Sequence, residues 1–364
     1  MNPFDTVSVN LGDRAYDILI GTDLLPGLGT RCADVFSARK TLLVTDTHVA
    51  AHHLAKAETA LREAGFTVTT CILPAGEPTK STAHLAELWA AAVNAKLDRK
   101  SFFVALGGGV IGDLTGFAAA SYLRGVPFVQ VPTSLLAMVD SAVGGKTGIN
   151  LPQGKNLVGA FHQPALVLAD LDVLKTLPPR EFAAGMAEVI KYGIIRDADL
   201  FATIEANVSA IQSLDPDLLR LLVRRSCEMK ADIVRQDERE SGVRALLNYG
   251  HTLGHAIENV AGYGKWLHGE AIAIGMSFAS KLSESLCNLS PDATRRQQNL
   301  FQAFGLPVSW NDLDWEPLFE AMTVDKKAEN ARPRFVLIDS LGHARLPCDV
   351  TPEALHTVFT GECA

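Results

Sequence analysis

Residues 102–116 read FFVALGGGVIGDLTG, a short apolar segment followed at once by a run of glycines. The apolar part, from Phe102 to Leu106, has the length and continuity of a strand buried on both faces of a sheet. The glycines that follow match the dinucleotide-binding pattern GxGxxG at Gly107, Gly109 and Gly112, between this strand and the start of a helix. Because backbone amides at a helix N-terminus can bind a pyrophosphate, the stretch indicates a nucleotide site on an α/β sheet.

Strand and helix patterns alternate on both sides of this stretch. Apolar or alternating runs predict further strands at residues 6–10, 16–20, 40–44, 67–73, 128–131 and 166–169. Helical patterns lie at residues 49–64, 82–96 and 113–122. The first two strands resemble a hairpin, and the rest predict a Rossmann-like parallel sheet covered by helices on both faces.

The predicted elements change at Pro178-Pro179 from alternating strands and helices to mainly helices. Proline suits the first turn of a helix, so a helix is expected to begin here. Helical patterns then dominate, at residues 180–195, 198–212, 216–237, 246–261, 268–287, 292–304 and 352–359, with a late strand or hairpin at 334–338. We therefore predict a dinucleotide-binding α/β domain at residues 1–179 and a mainly α-helical domain at 180–364. We expect the active site in the cleft between them.

Composition excludes several classes of partner. The chain has 364 residues and a formal net charge of −8, which argues against nucleic acid or a membrane surface. An anionic small molecule would need a local cluster of lysine and arginine. The six cysteines form no CxxC pair, and no apolar run reaches membrane-spanning length. These features predict a cytoplasmic protein with reduced thiols.

The nucleotide motif departs from the usual Rossmann unit in two respects, the first being that it begins only at Gly107, far from the start of the chain. The strand after the glycine run ends in Pro132-Thr133 and supplies no acid for a ribose. Asp46, which ends the strand at 40–44, is the alternative acid. A tight strand–helix turn without a ligand is the alternative explanation of the glycines, but the nearby Asp113, Thr133 and Lys155 favour the nucleotide.

Three segments of the second half offer metal ligands. Glu188, Lys191 and Tyr192 share one helical face by their spacing. His251 and His255 lie one turn apart, and His268 follows at the start of another helix. One carboxylate and two imidazoles are typical of a catalytic zinc site, but spacing leaves open which histidines are ligands. A hydrogen-bonded structural role is the alternative for each histidine alone.

A lysine on an apolar helix stripe also stands out. Lys230 follows Val223 by seven residues and precedes Ile233 by three, so it lies on the buried face of the helix. It requires a charged partner there, unless its ammonium group reaches solvent at the helix edge. Glu240 and Arg244 follow this helix, and solvated loop charges are their simplest interpretation.

Taken together, the motifs resemble the 3-dehydroquinate synthase family of sugar phosphate cyclases. The resemblance runs from about Asp46 to Lys327 and depends on GGGVIGDLTGFAAASYLRGVPFVQVPTSLLAMVDSAVGGKTGIN, GKNLVGAFHQP, EFAAGMAEVIKYG, LLNYGHTLGHAIE and LHGEAIAIGM. It implies conversion of 3-deoxy-D-arabino-heptulosonate 7-phosphate into 3-dehydroquinate and phosphate, in the shikimate pathway. The implied steps are transient oxidation by NAD⁺, phosphate elimination, re-reduction, ring opening and aldol closure. Zinc or cobalt is the implied metal.

The resemblance also implies roles for individual residues. The implied metal ligands are Glu188, His251 and His268. Contacts to phosphate and neighbouring oxygens are implied for Lys146, Asn156, Arg124, Asn248, His255 and either Lys326 or Lys327. Arg244 would meet the substrate carboxylate, and the residues that orient hydroxyls and the metal shell are Lys191, Lys230, Asp140 and Glu240. The implied NAD contacts are Asp46, Glu77, Lys80, Gly109, Val110, Ile111, Gly112, Asp113, Thr133, Ser134, Lys146, Lys155 and Thr176.

The family resemblance further implies a homodimer in which Arg124 reaches the phosphate pocket of the neighbouring chain. Two departures from the family pattern are slight: Pro78 follows Glu77, and Ser134 replaces a common threonine. The alternatives are a related cyclase for a sugar phosphate without a carboxylate, a polyol dehydrogenase of the same fold, and a non-catalytic binding protein.

Overall fold

The computed structural model describes residues 4–240, 242–262, 265–324 and 332–361. The chain forms two compact units, Met1–Pro178 with Leu214–Arg235, and Pro179–Ser213 with Gln236–Ala364. The division into consecutive domains at 179/180 stays a prediction. The first unit also contains the segment 214–235, which the sequence analysis assigned to the helical domain.

Nine strands of the first unit lie in the described residues: β1 Phe4–Val9, β2 Tyr16–Gly21, β3 Lys40–Asp46, β4 Thr67–Leu73, β5 Phe102–Gly107, β6 Phe128–Pro132, β7 Lys146–Leu151, β8 Gly154–Phe161 and β9 Leu166–Asp170. Seven of them form one sheet in the order β1-β2-β9-β6-β5-β3-β4. The pair β1–β2 is antiparallel, as the hairpin pattern predicts, and the other neighbours are parallel. The predicted parallel sheet is therefore confirmed.

The helices of the first unit cover both faces of this sheet. They are α1 Leu28–Val35, α2 Thr47–Val49, α3 Ala55–Glu63, α4 Thr82–Asn94, α5 Gly109–Ser121 and, from the second segment, α9 Pro216–Gln236. Two apolar clusters form the core, one around Phe102 and Val104 and the other around Phe103 and Ala105. Successive residues of β5 point to opposite faces, so this continuous apolar strand is buried on both sides.

Two elements of the first unit differ from the sequence prediction. Helix α5 begins at Gly109, within the glycine run, and not at residue 113. The strands β7 and β8 form a separate antiparallel hairpin that the sequence analysis left without structure. Its glycines and polar residues obscure the two-residue period of a strand, and five of the eight residues of β8 are exposed. Such a hairpin lacks the apolar alternation on which prediction depends.

The second unit is mainly helical. Its helices are α6 Pro179–Arg196, α7 Ala198–Ala206, α8 Val208–Gln212, α10 His251–Ala261, α11 His268–Cys287, α12 Pro291–Ala303, α13 Trp315–Val324 and α14 Pro352–Thr360. The strands β10 Arg334–Ser340 and β11 His343–Asp349 form the late hairpin. The predicted helix 246–261 is wrong over its first turn, because Gly250 is left-handed with φ 79° and α10 begins only after it.

No helix among the described residues is both long enough and apolar enough to cross a bilayer.

Candidate functional site

The glycine run forms a tight strand-to-helix turn. Strand β5 ends at Gly107 and α5 begins at Gly109. A Cβ atom at Gly107 would lie 2.6 Å from Ile111 Cβ, and one at Gly112 would lie 2.8 Å from Gln130 Oε1. Side chains at these two glycines would therefore force the helix away from the sheet. The first N–H groups of an α-helix lack intrahelical acceptors, so this turn offers donors to an anion.

The turn lies at the point where the strand order of the sheet reverses. Strand β3 pairs with β4 on one side and with β5 on the other. In open α/β sheets, ligands bind in the crevice at the carboxyl ends of such strands. Asp46 ends β3 there, and its Oδ1 accepts hydrogen bonds from the backbone N–H groups of His48 and Val49 at 2.9 and 3.0 Å. The arrangement fits a dinucleotide.

A polar network connects Asp113 on α5 with the hairpin. Lys80 Nζ donates to Asp113 Oδ2 and to Asn156 Oδ1, both at 2.5 Å. Asn150 Nδ2 donates to Glu77 Oε1 at 2.7 Å, and the Asn156 N–H donates to Asn150 Oδ1 at 2.9 Å. Sequence reasoning missed Asn150, although it ends the GGKTGIN motif. Four predicted residues therefore lie in one network with the side chain of Asn150, which was not predicted: Glu77, Lys80, Asp113 and Asn156.

Three further predicted cofactor residues lie in turns of the first unit. The Thr133 N–H donates to the carbonyl of Gly107 at 3.0 Å, which joins the end of β6 to the glycine turn. Ser134 Oγ accepts a backbone N–H at the start of the next helical turn. Thr176 Oγ1 lies 2.7 Å from Nε2 of His53, a buried histidine without a predicted role. These contacts fix the positions of the three residues in their turns.

The cations predicted to bind phosphate lie on two exposed segments. Lys146 begins β7 and is exposed, while Lys155 and Asn156 lie in the paired strand β8. The hairpin therefore carries two of the predicted phosphate contacts, Lys146 and Asn156, and the predicted NAD contact Lys155. Arg124 is exposed in a different turn, Tyr122–Arg124, where its own φ is 71°.

Lys230 has the charged partner that its position requires. Its side chain is 6% exposed, and Nζ donates to Asp140 Oδ1 at 2.5 Å and to the Asp140 carbonyl at 2.6 Å. Asp140 lies in a π-helical turn, Ala137–Ser141. Such turns are frequent at functional sites, because the extra residue reorients a side chain.

In the second unit, three side chains converge as a metal site requires. Glu188 on α6 is fully buried, and its Oε1 lies 3.4 Å from His251 Nε2 and 3.5 Å from His268 Nε2. One ligand atom from each of these residues lies within 4.8 Å of the others. A carboxylate oxygen with two imidazole nitrogens is a donor set for Zn²⁺ or Co²⁺. Among the described residues, His255, Glu258 and His268 form a second group of this kind.

Glycines allow these helices to approach closely enough for the cluster to form. A Cβ at Gly269, beside His268, would overlap the backbone carbonyl of Ala184 on α6. A Cβ at Gly254 would lie 2.5 Å from Ile272 Cδ1 on α11. The close contact of α11 with both α6 and α10 therefore depends on residues without side chains.

Burial controls the charge of the cluster. It lowers the pKa of His251 well below its ordinary value, and Lys191, which pairs with Glu188, lowers it further. Burial alone would also lower the pKa of His268, but hydrogen bonds to the carboxylates of Glu188 and Glu258 raise it to about 10. A metal binds the neutral form of imidazole, so metal binding releases a proton from a charged histidine. A divalent ion would therefore take the place of the proton on His268.

Arg244 is not a solvated loop charge, contrary to the simplest interpretation of its sequence context. It is 2% exposed, and its guanidinium donates to the carbonyl of Glu238. Its backbone N–H donates to Asp237 Oδ2 at 3.0 Å. Asn248 Nδ2 donates to Glu240 Oε1 at 2.8 Å, so these two residues, predicted for separate roles, are in contact. Asp237, which shapes this loop, was not predicted.

Two further predictions concern the surroundings of the metal cluster. His255 is exposed, and its ring centroid lies 5.2 Å from that of His251. It is therefore adjacent to the cluster, while His251 and His268 face Glu188. Lys326 and Lys327 lie outside the described residues.

Family models match most of the chain. The 3-dehydroquinate synthase N-terminal model matches residues 70–184, and the C-terminal model matches residues 185–328. A 3-dehydroquinate synthase from Nostoc punctiforme is 48% identical over 358 residues, which covers 98% of this chain and 99% of that protein.

Two solved structures share the fold over nearly the whole chain. A 2-deoxy-scyllo-inosose synthase, complexed with carbaglucose-6-phosphate, NAD⁺ and Co²⁺, is 26% identical with a TM-score of 0.88, covering 98% of this chain and 99% of that one. A 2-epi-5-epi-valiolone synthase from Streptomyces hygroscopicus subsp. jinggangensis 5008, with NAD⁺ and Zn²⁺ bound, is 27% identical with a TM-score of 0.88, covering 95% and 96%. This chain belongs to the 3-dehydroquinate synthase family.

Proposed function

We propose that this protein is a 3-dehydroquinate synthase, which converts 3-deoxy-D-arabino-heptulosonate 7-phosphate into 3-dehydroquinate and phosphate in the shikimate pathway. The observation that carries the proposal is the buried cluster of Glu188, His251 and His268, in a chain of this family. The net reaction breaks a carbon–oxygen bond and releases phosphate. The enzyme is therefore a lyase, although it uses a redox cofactor.

The proposed cofactors are NAD⁺ and one divalent ion, Zn²⁺ or Co²⁺. When bound, NAD⁺ takes and returns a hydride at one ring carbon, and the ion acts as a Lewis acid on the hydroxyl there. Glu188, His251 and His268 hold the ion. Lys191, whose side chain is 1% exposed, forms an ion pair with Glu188 and so contacts the buried ligand.

NAD⁺ is assigned to the glycine turn and the residues around it. Amides at the start of α5 donate to the pyrophosphate, and Asp46 accepts from the ribose hydroxyls. The remaining contacts are assigned to Glu77, Lys80, Gly109, Val110, Ile111, Gly112, Asp113, Thr133, Ser134, Lys146, Lys155 and Thr176. The network around Lys80 supports this assignment, because it holds charged groups beside the turn.

The substrate carries both a phosphate and a carboxylate, and a chain of net charge −8 must bind it through local cations. Arg244 is assigned to the carboxylate because it is already buried and held by its loop. The phosphate and neighbouring oxygens are assigned to Lys146, Asn156, Arg124, Asn248, His255 and either Lys326 or Lys327. The groups that orient hydroxyls are Lys191, Lys230, Asp140 and Glu240. These donors bring the reacting groups together before the reaction.

A phosphate-release assay tests the activity. The purified protein is loaded with Zn²⁺ and given the heptulosonate phosphate with NAD⁺ far below the substrate concentration. We expect phosphate to be released over many turnovers without accumulation of NADH, since the same carbon is oxidised and then reduced. Net NADH formation would identify a polyol dehydrogenase instead. A preference for a seven-carbon sugar phosphate without a carboxylate would identify a related cyclase.

We also propose a homodimer in which Arg124 acts in the site of the partner. Each chain of a two-fold dimer would then supply one arginine to the other. Inactive variants Arg124→Ala and His251→Ala are unfolded and refolded together. Random pairing makes about half the dimers mixed, each with one intact site, so about a quarter of wild-type activity should return. If mass spectrometry shows mixed dimers and no activity returns, Arg124 does not act across the interface.

A cytoplasmic location is also proposed. Among the described residues, Cys32, Cys71, Cys227 and Cys287 are buried free thiols, and Cys348 is an exposed one. Reduced cysteines are typical of proteins in a reducing compartment. Localisation of a tagged chain by microscopy, or cell fractionation, tests this.

A further inference from the structure

The two ring nitrogens of His268 face different carboxylates. Nε2 lies 3.5 Å from Glu188 Oε1, in the proposed metal cluster. Nδ1 lies 3.1 Å from Glu258 Oε2 on α10, outside that cluster. The side chain of Glu258 is 9% exposed, so this contact is largely shielded from water.

The contact with Glu258 determines which nitrogen can bind a metal. An ionised carboxylate only accepts hydrogen bonds, so Nδ1 must carry the proton that lies between them. In the neutral ring, the lone pair is then on Nε2, which faces Glu188 and His251. A carboxylate on the far nitrogen also fixes the orientation of the ring and makes the ligating nitrogen more basic.

His251 is held in the same way by a weaker acceptor. Its Nδ1 lies 3.1 Å from the backbone carbonyl of Tyr249, which again leaves Nε2 toward Glu188. Tyr249 is itself anchored, because its hydroxyl donates to Gln297 Oε1 at 3.0 Å. A backbone carbonyl cannot be removed by substitution, whereas the acceptor for His268 is a side chain. The two ligands therefore differ in how they can be tested.

We propose that Glu258 is a positioning residue that holds His268 in its metal-binding orientation and so strengthens binding of the divalent ion. This inference rests on the proposed metal site of Glu188, His251 and His268. Glu258 is not a ligand of the metal, and it acts through its hydrogen bond with His268.

The experiment measures metal affinity and not only activity. The full-length protein is stripped with a chelator, and its Zn²⁺ affinity is determined by competition with a chromophoric chelator. We expect Glu258→Ala to weaken binding by about 10–100-fold, the usual effect of losing an outer partner of a metal-bound histidine. Glu258→Gln keeps an oxygen acceptor of the same size without the charge, so its loss should be smaller.

A matched control lies on the helix of His268 itself. Glu284 pairs with Lys281 on α11, about 24 Å along the helix from His268. Glu284→Gln removes a carboxylate without touching the cluster and should leave Zn²⁺ affinity unchanged. Circular dichroism of each stripped variant checks the fold, and Glu258→Gln carries the test if the alanine variant does not fold.

Absorption of the Co²⁺-loaded protein separates positioning from direct ligation. If Glu258 is a positioning residue, Glu258→Gln should keep the wild-type ligand-field spectrum at saturating Co²⁺. A spectrum changed as in His251→Ala would make Glu258 a ligand and overturn the inference. Unchanged Zn²⁺ affinity in both Glu258 variants would overturn it as well. If the wild-type protein binds no divalent ion, the proposed metal site itself is wrong. If the wild-type protein binds the ion and both Glu258 variants bind it equally well, only the role of Glu258 is wrong.

Discussion

The glycine turn of the first unit and the histidine cluster of the second build their sites from different atoms. In the turn between β5 and α5, backbone N–H groups are the donors, and glycines let the helix begin close to the sheet. In the cluster, the binding groups are metal ligands on the side chains of Glu188, His251 and His268, which lie on three helices. Both sites require glycines at close approaches.

This difference determines how each site can be damaged. A backbone donor survives most substitutions of its own residue, so the turn is weakened chiefly by side chains that displace the helix. A side-chain ligand is removed by a single substitution, so the cluster should be lost one residue at a time. The following predictions, in decreasing order of effect, test this comparison.

Removal of one ligand should abolish tight metal binding. His268→Ala leaves Glu188 and His251, and two ligands do not make a catalytic zinc site. We expect the loss in affinity to exceed the ~100-fold that an outer partner contributes, with activity lost in parallel. Elemental analysis of the dialysed protein checks this, with His343→Ala, an exposed histidine paired with Asp339, as the control. Full metal occupancy in His268→Ala would contradict the ligand assignment.

A side chain between α6 and α11 should damage the cluster without removing a ligand. Gly269→Ala places a Cβ on the backbone of Ala184, so the helices must separate. We expect a loss of about 3 kcal/mol in the free energy of unfolding, with weaker Zn²⁺ binding. Urea denaturation and metal titration measure both. Gly27→Ala is the control, because a Cβ there meets no atom within 4 Å. Equal stability of the two variants would show that the close approach is not required.

The same change in the glycine turn should be milder. Gly112→Ala brings a Cβ to 2.8 Å from the Gln130 side chain, which can shift more easily than backbone. We expect NAD⁺ affinity to fall about tenfold, equivalent to about 1.4 kcal/mol, as α5 moves from the sheet. Isothermal titration measures this against Gly27→Ala. If Gly112→Ala binds NAD⁺ like the wild type, the turn does not hold the cofactor.

The smallest effect should come from a charge at the end of β3. Asp46 caps two backbone N–H groups, and asparagine caps them equally well. Asp46→Asn should therefore keep the unfolding free energy and lower NAD⁺ affinity several-fold, since the carboxylate accepts more strongly from ribose hydroxyls. Thermal denaturation and titration separate the two roles. Unchanged NAD⁺ affinity would leave Asp46 as a helix cap alone.

The parallel sheet was predictable because its strands are short, apolar and separated by helical patterns. Phe102–Gly107 is buried at every position, and a continuous apolar run predicts such a strand. The hairpin β7–β8 was missed because exposed and glycine-rich strands lack this pattern. The break before α10 was missed because a single glycine within a helical pattern does not by itself predict a left-handed residue.

The site was predictable where residue types are unusual for their surroundings. A lysine on an apolar stripe predicted that Lys230 needs a charged partner, but spacing could not identify Asp140. Three polar residues were missed because nothing in the sequence around them makes a polar residue unexpected: Asn150, Asp237 and Glu258. Their roles depend on hydrogen bonds to residues distant in the chain or across a loop.

Residues close together in the chain are enough to specify the fold class, the family and the position of the glycine turn. Strand length, helix period and glycine spacing are local properties. The folded structure was needed to show which histidines face Glu188, that Glu258 contacts His268, and that Arg244 is buried. These relations depend on how closely helices pack, and that distance is set by contacts between residues far apart in sequence.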